Sequence, residues 1–273
     1  MDAFTPVVKK QLPAETLQVY VAEYVFRAFT VPQSQPVVKA MPLRVSSSID
    51  FFLGDPFETV DYQSKQVAPF TPCTIRGPRT HKKYTISISG RFVSFTIKFK
   101  PTGLYRLLGM PANLFCNQAI DGQLLYAAFF GEITEQLMAC RHISGCIRII
   151  EPYLLRLAAR QHKIYPSKAI EQMTGLIFTD KAPASIADFL RKVCLSERQL
   201  ERNFVKEIGT TPKLYSNMVR FENLLRYKMD FPRQNWTNLT YEFNYYDQMH
   251  LIKSFQRFLG INPGDFAPED FAL

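Results

Sequence analysis

The C-terminal third of this 273-residue chain contains one sequence pattern twice, with corresponding positions 51 residues apart. The shared positions are two apolar residues, a glycine and a proline: Leu200 and Leu251, Phe204 and Phe255, Gly209 and Gly260, Pro212 and Pro263. Cationic residues repeat at the same spacing, as Arg202 and Lys253 and as Lys206 and Arg257. Such a repeat indicates one supersecondary unit that is used twice.

The first copy predicts a helix with two different faces. Ser196 is a good N-cap residue, and Gln199 three residues later completes a capping-box pattern. Leu200, Phe204 and Ile208 form one apolar stripe, because residues four apart lie on the same side of a helix. The opposite face carries side chains suited to base edges and phosphates. These are Arg198, Gln199, Arg202 and Lys206.

The second copy predicts the same kind of helix, capped by Asp247. Its apolar stripe is Leu251, Phe255 and Leu259. Its expected outward residues are Met249, His250, Lys253 and Arg257. In each copy a glycine follows at the position where helices end in a left-handed residue, and a proline three residues later can open the next helix.

A shorter helix is predicted before each copy, at an offset of 50 residues. Its expected caps are Ser185 and Asn235. The residues expected to face the core are Ile186, Phe189, Trp236 and Leu239. Cys194 and Asn244 hold the turns, and asparagine adopts a positive φ more readily than cysteine. The chain is therefore predicted to contain two helix-turn-helix units in tandem.

The segment from about Ser185 to Phe266 resembles the DNA-binding domain of the AraC/XylS family of bacterial transcription regulators. The stretches that carry the resemblance are LSERQLERNFVKEIGTTPKLY, RFENLLRY and FNYYDQMHLIKSFQRFLGINPGDF. They include an aromatic-rich turn followed by phenylalanine, glycine and proline in the spacing of the family. Cys194 and Asn244 stand where many members have glycine, and Thr240 stands where alanine is usual.

The resemblance implies that the second helix of each unit is a recognition helix whose first turns touch bases. It implies that Arg202 and Lys253 donate to guanine, that Gln199 and Gln248 pair with adenine, and that Met249 packs on a thymine methyl group. Lys206 and Arg257 are expected to contact phosphates. The full set of expected DNA-binding residues is Ser196, Arg198, Gln199, Arg202, Lys206, Asp247, Gln248, Met249, His250, Lys253 and Arg257.

Residues Pro212 to Met229 are predicted to form one connecting helix. Its apolar stripe is Leu214, Met218, Phe221 and Leu225. Eighteen helical residues span roughly 27 Å. A rod of this length can hold two recognition helices about one DNA turn apart, so that both enter successive major grooves on one face of the duplex.

Composition predicts two domains, since 47% of the residues are hydrophobic and the chain is long enough for two modest cores. We expect a sensor or dimerisation domain over residues 1–163 and a DNA-binding domain over residues 164–273, with helix-turn-helix units at about 185–209 and 235–260. No long uncharged apolar stretch or signal peptide is evident, so a cytoplasmic protein without membrane partners is expected. Five cysteines without paired spacing indicate free thiols.

The net charge of +9 is distributed unevenly along the chain. Up to Gly175 there are 20 basic and 12 acidic residues, and beyond it 13 and 12. The excess therefore lies outside the segment predicted to bind DNA, and local clustering on helix faces is the better indicator. One basic run, from Arg76 to Lys83, is predicted to form a loop. It is either solvated surface or a contact for phosphates or an anionic effector.

The N-terminal half predicts an α+β architecture. Leu12 to Phe29 indicates a short helix leading into a strand, and Val37 to Lys100 reads as mostly extended. Short helices are expected after Pro101 and at Pro111, and longer ones over 124–137, 146–161 and 167–178. A small antiparallel β-barrel or half-barrel with packed helices fits this order. The stretch FKPTGLYRLLGMP resembles an N-terminal domain, of largely unassigned function, found in one branch of AraC-like regulators.

No catalytic, cofactor or metal site is predicted. Cys140, His142 and Cys146 lack the paired spacing of a structural zinc site, and no nucleophile elbow or phosphate-binding glycine loop is present. A barrel interior lined with apolar residues can hold an apolar ligand, or it can simply be filled with side chains.

These observations predict a sequence-specific transcription regulator whose N-terminal domain senses an effector, dimerises or does both. The expected partners are double-stranded DNA, a small-molecule effector, a second copy of the chain and RNA polymerase. One alternative is an enzyme or repair protein that uses the tandem motif for DNA targeting. Another is an interaction module that has lost its DNA-binding face.

Overall fold

The computed structural model describes residues 7–160, 167–179, 190 and 195–271. The strands are β1 (Val7–Gln11), β2 (Val21–Val31), β3 (Val37–Met41), β4 (Ser48–Phe52), β5 (Glu58–Asp61), β6 (Val67–Ala68), β7 (Cys73–Arg76), β8 (Tyr84–Ile88), β9 (Gly90–Phe99) and β10 (Ala119–Asp121). The helices are α1 (Gly103–Leu108), α2 (Gly122–Met138), α3 (Ile143–Arg160), α4 (Lys168–Thr179), α5 (Glu197–Ile208), α6 (Pro212–Asp230), α7 (Trp236–Glu242) and α8 (Gln248–Phe258). Short 3-10 helices lie at Glu15–Leu17, Ala112–Phe115, Pro263–Asp265 and Pro268–Asp270.

The N-terminal half forms two antiparallel sheets, which confirms the predicted α+β class. One sheet has the strand order β1-β2-β9-β4-β7-β10 and the other β3-β8-β5-β6. The long strands β2 and β9 pair at the centre of the larger sheet, with Phe26 opposite Phe95. Strands β1 and β10 were not predicted, because β1 is fully exposed and β10 has only three residues. Neither strand carries an apolar alternation that could be recognised.

Two apolar clusters lie on opposite faces of the larger sheet. Helices α1 to α3 cover one face, around the fully buried Phe51, Phe95 and Phe130. Between the two sheets lies a set of five phenylalanines: Phe29, Phe52, Phe57, Phe70 and Phe92. Their ring centroids are 4.7–6.4 Å apart in the contacting pairs. The described space between the sheets is therefore filled by aromatic side chains.

The C-terminal helices share one core. It contains the predicted inward residues of both recognition helices and of the connecting helix. These are Leu200, Phe204, Ile208, Met218, Phe221, Leu225, Leu251, Phe255 and Leu259. Helix α4 adds Ile170 and Met173, so the helix predicted over 167–178 packs with the DNA-binding part of the chain. Helix α6 confirms the predicted connecting helix.

The two halves of the chain are joined by a continuous seam. Leu43 and Val45 follow β3 in sequence but are buried in the core of the C-terminal helices. Phe271, near the end of the chain, forms a parallel bridge with Ala40 in β3. The predicted domain boundary between residues 163 and 164 falls outside the described residues. Within the described ranges, no helix combines the length and apolar character needed to cross a bilayer.

Both recognition helices end as predicted, at glycines with positive φ. Gly209 has a φ of 100° and Gly260 a φ of 72°. Each lies against the N-terminal half. A Cβ atom at Gly209 would be 3.0 Å from the carbonyl oxygen of Ala112, and one at Gly260 would be 3.5 Å from the Lys82 ammonium nitrogen.

We predict that Gly209→Ala lowers the free energy of unfolding by about 1–2 kcal/mol, since a left-handed residue with a side chain is strained. The matched control is Gly131→Ala, in the middle of α2, where a Cβ would meet nothing within 4 Å. That change should raise the free energy of unfolding by about 0.5–1 kcal/mol, because alanine favours helix over glycine. Urea unfolding followed by circular dichroism measures both. If both substitutions changed the free energy of unfolding by the same amount in the same direction, the left-handed conformation of Gly209 would not be the cause.

Candidate nucleic-acid interface

The first recognition helix, α5, begins with the predicted capping box. The backbone N–H of Gln199 donates to the Ser196 hydroxyl at 3.3 Å, and the backbone N–H of Ser196 donates to the Gln199 side-chain oxygen at 3.1 Å. Ser196 lies at an extended φ and ψ, as an N-cap requires. This pair fixes where the helix starts, and hence which residues occupy its first two turns.

The first turns of α5 expose the predicted cationic face. Arg198, Gln199 and Arg202 are exposed, whereas Leu200 and Phe204 are buried. The side-chain oxygen of Gln199 is engaged in the cap, which leaves its NH₂ group as the outward donor. The helix that precedes this one, with Ser185, Ile186, Phe189 and Cys194, falls outside the described residues.

The end of α5 faces the N-terminal half. The Lys206 ammonium lies 5.6 Å from the ring centroid of Tyr105 in α1. Glu207 is buried, and both its carboxylate oxygens accept the backbone N–H of Ser167 at 3.1–3.2 Å. Burial raises the pKa of Glu207 to about 7. This carboxylate therefore ties the start of α4 to the end of the first recognition helix.

The second recognition helix, α8, is capped by Asp247, whose carboxylate accepts the backbone N–H of His250 at 2.7 Å. Gln248 is exposed and donates from its side-chain nitrogen to the Thr237 hydroxyl at 2.9 Å. Thr237 belongs to α7, the first helix of this unit. The contact orients Gln248 from outside its own helix. Met249, Lys253 and Arg257 are exposed, as predicted.

His250 departs from its predicted outward orientation. It is half-buried, and its ring centroid lies 5.2 Å from that of Tyr245 in an edge-on arrangement. Burial lowers the pKa of His250, and the positive charges of Arg220 and Lys253 add to this effect. The reason is its position: His250 lies at the border of the helix face, and the chain entering α8 places Tyr245 there.

The connecting helix holds the turn of the second unit through Arg220. Its guanidinium donates to the backbone carbonyl of Asn244 at 3.0 Å and lies 4.4 Å from the ring centroid of Tyr245. Asn244 has a φ of 53°, as its residue type allows. This role of Arg220 was not predicted from the sequence. Its position beside the buried Phe221 was the available signal, since a buried cation needs a partner.

Within the part of the chain that the structure describes, no three His, Cys, Asp or Glu side chains are grouped so that they could hold a metal ion. The described cysteines are free thiols. Cys73 and Cys146 are buried, and burial raises the pKa of both. These thiols contribute to packing.

Two capped helices with exposed cations within their first two turns, joined by a 19-residue helix, define a DNA-binding protein with tandem reading units. Residues 189–268 match a family model described as a helix-turn-helix domain, and residues 9–121 match a domain of unknown function (DUF6597). The C-terminal region is an AraC-type helix-turn-helix domain, and the chain is a DNA-binding transcription regulator.

Solved structures to which this chain shows similarity include ToxT of Vibrio cholerae and the AraC-like transcriptional activator CuxR. An apo ToxT variant is 10% identical, with 89% of this chain and 96% of that chain covered and a TM-score of 0.49. Wild-type ToxT bound to an unsaturated fatty acid is 9% identical, with 88% and 93% covered and a TM-score of 0.48. CuxR is 15% identical, with 83% and 82% covered and a TM-score of 0.33. No curated protein matches.

We predict that Glu207 makes stability depend on pH. Its folded pKa of about 7 lies above the usual value of 4.5, so the protonated form is favoured in the folded protein. Its stabilising contribution is complete below pH 4.5 and is lost as the pH rises through about 7. The stability of the wild type relative to Glu207→Gln should therefore fall across this window. Urea unfolding midpoints of both proteins at a series of pH values measure this fall. A difference between the two midpoints that does not change with pH would refute the raised pKa of Glu207.

Proposed function

We propose that this regulator binds a specific duplex sequence by placing α5 and α8 in successive major grooves on one face of the DNA. The observation that carries the proposal is that Arg202 and Lys253 are exposed at the same position in the second turn of each helix, above a stripe buried in one shared core. Helix α6 has 19 residues and a length of roughly 28 Å. That length suits two readers one DNA turn apart, about 34 Å.

The roles proposed for individual residues differ with their surroundings. Arg202 and Lys253 are the proposed guanine contacts, because both are exposed and cationic. Gln248 is the stronger of the two adenine candidates, since Thr237 already orients its carboxamide. Gln199 must release its cap before its oxygen can accept from a base. The same reasoning makes Ser196 and Asp247 positioning residues that set the helix starts.

Base contact is proposed for Arg198 in the first turn of α5, and phosphate contact for Arg257 and Lys206. Lys206 must turn away from Tyr105 to make it. His250 is a weaker candidate because Tyr245 covers part of its ring. Met249 is 58% exposed, which suits a contact with a thymine methyl group.

We further propose that the N-terminal domain, residues 1–163, senses an apolar acid. A groove of about 320 Å³ lies on the larger sheet and is lined by Phe26, Ala28, Phe29, Val93 and Cys140, with Arg91 and Arg141 at its rim. Both arginines are exposed. Apolar lining with a few placed charges is typical of small-molecule sites, and guanidinium groups pair with carboxylates.

The DNA-bound unit in this proposal is one chain with one duplex, because each chain supplies both reading helices. A second copy or RNA polymerase would engage surfaces other than the exposed faces of α5 and α8. Residues 164–273 form the proposed DNA-binding domain, with the helix-turn-helix units at about 185–209 and 235–260.

Arg202→Ala and Lys253→Ala should each weaken specific binding by about 1–3 kcal/mol and relax the base preference at one position. The target duplex is first selected from a random pool with the wild-type protein. Fluorescence anisotropy with that duplex and with single-base variants then gives the affinities. Arg148→Ala, which removes an exposed arginine from α3, is the control and should leave them unchanged. Equal binding of every duplex by all these proteins would refute sequence-specific recognition.

Decanoate should raise the thermal unfolding midpoint of the wild-type protein, because a ligand that binds only the folded state stabilises it. Decanol, which lacks the carboxylate, should have a smaller effect. Arg141→Gln should reduce the response to decanoate but not the response to decanol. If decanoate and decanol shift the unfolding midpoint equally in the wild type and in Arg141→Gln, the groove is not a site for an acid.

A further inference from the structure

Most of the basic run from Arg76 to Lys83 serves the fold. Arg76 pairs with the buried Asp50 at 3.6 Å. Arg79 is buried, and its guanidinium donates to the backbone carbonyl of Pro42. The Lys83 ammonium donates to the backbone carbonyl of Asn117 at 2.6 Å. These three cations are therefore directed into the N-terminal half.

Lys82 is directed differently. Its ammonium lies 3.9 Å from the ring centroid of Tyr62, and that of Lys65 lies 4.5 Å from the same centroid. Tyr62 and Lys65 belong to the turn between β5 and β6, and both are exposed. Within the described residues, neither lysine forms an ion pair with an acidic side chain. We call Lys65 and Lys82 the lysine pair.

The lysine pair adjoins the second recognition helix. A Cβ atom at Gly260, the residue that follows Leu259 at the end of α8, would lie 3.5 Å from both the Cε and Nζ atoms of Lys82. Gly260 is seven residues beyond Lys253 and two residues beyond Phe258, the last residue of α8. Like Lys253, Gly260 is exposed. Lys82 therefore lies beside the C-terminal end of α8, and the lysine pair adds to the exposed cations Lys253 and Arg257 of that helix.

The neighbouring charges reinforce this continuity. Burial lowers the pKa of His81, and the positive charges of Lys83, Arg79 and Arg257 contribute to the effect. Arg257 is thus close enough to the loop between β7 and β8 to act on His81. The nearby Asp61 carboxylate accepts the backbone N–H groups of Gln63 and Ser64, which lowers its pKa and keeps it ionised, so it is a negative charge among these cations. The local surface is cationic.

We propose that the lysine pair contacts backbone phosphates of DNA beside the site read by α8, so that the β-sheet domain forms part of the DNA interface. Lys65 is exposed and Lys82 is half-buried. Phosphates are the class of ligand that two ammonium groups without an acidic partner, next to a recognition helix, can bind without regard to sequence. This inference rests on the proposed DNA binding by α8. It adds a contact from the half of the chain that contains no helix-turn-helix unit.

The test compares the full-length Lys65→Gln/Lys82→Gln variant with the wild type on the selected duplex, over a series of salt concentrations. Each lost phosphate contact lowers the slope of log affinity against log salt by about 0.9. The slope should therefore fall by about 2, and the affinity should drop by the same factor on specific and unrelated duplexes. The control is Lys9→Gln/Lys100→Gln, which removes two exposed lysines from the larger sheet and its end.

A second arm locates the contact. The base pairs whose preference changes in Lys253→Ala identify the end of the duplex read by α8. Shortening the flank at that end should make wild type and the lysine variant equal in affinity, whereas shortening the opposite flank should not. The inference is overturned if the salt slope of the Lys65→Gln/Lys82→Gln variant equals that of the Lys9→Gln/Lys100→Gln control. It is also overturned if shortening the flank leaves the difference in affinity between wild type and variant unchanged. Failure of the wild type to bind any duplex would instead overturn the proposed function.

Discussion

The contact on which the arrangement of this protein depends is the docking of two left-handed glycines against the N-terminal half. Gly209 ends one recognition helix and Gly260 the other. A Cβ at Gly209 would lie 3.4 Å from Pro78, and one at Gly260 would lie 3.5 Å from Lys82. Pro78 and Lys82 belong to the same loop, between β7 and β8. One loop therefore touches the ends of both reading helices, and their spacing is set by the β-sheet domain as well as by α6.

Such a seam gives a physical route for an effector to act on DNA binding. A ligand shifts an equilibrium only by its difference in affinity between two states, so a signal must alter contacts that cross the seam. Glu222 of α6 lies at this seam, where burial raises its pKa and the positive charges of Arg226, Lys98 and Arg44 act to lower it. Burial alone would also raise the pKa of Asp50, but Arg76, Arg44 and hydrogen bonds from Ser48 and Thr96 lower it. These charges lie between the sheet and the connecting helix.

Sequence patterns predicted the C-terminal helices well because their determinants are local. The Ser196 capping box, the Asp247 cap and the two glycine ends each depend on residues within a few positions of one another. The missed features are long-range. Arg220 reaches Asn244 across 24 residues, and Tyr245 covers His250 only because the preceding turn bends back. In the N-terminal half, the extended segments were recognisable, but the pairing of β4 with both β7 and β9 was not.

The distribution of charge shows why net charge is a poor guide to where this chain meets DNA. The N-terminal part has an excess of basic residues, yet Arg76, Arg79 and Lys83 of its most basic run are used for internal contacts. The C-terminal part has nearly equal numbers of basic and acidic residues. Its acidic residues include Asp247 and Glu207, which cap or brace helices away from the outward faces. Exposed cations occur in both halves of the chain, and those on the outward faces of α5 and α8 are the ones placed on the proposed DNA-reading helices. The position of these cations on the helix faces, rather than the net charge of the chain, determines which of them can contact phosphates.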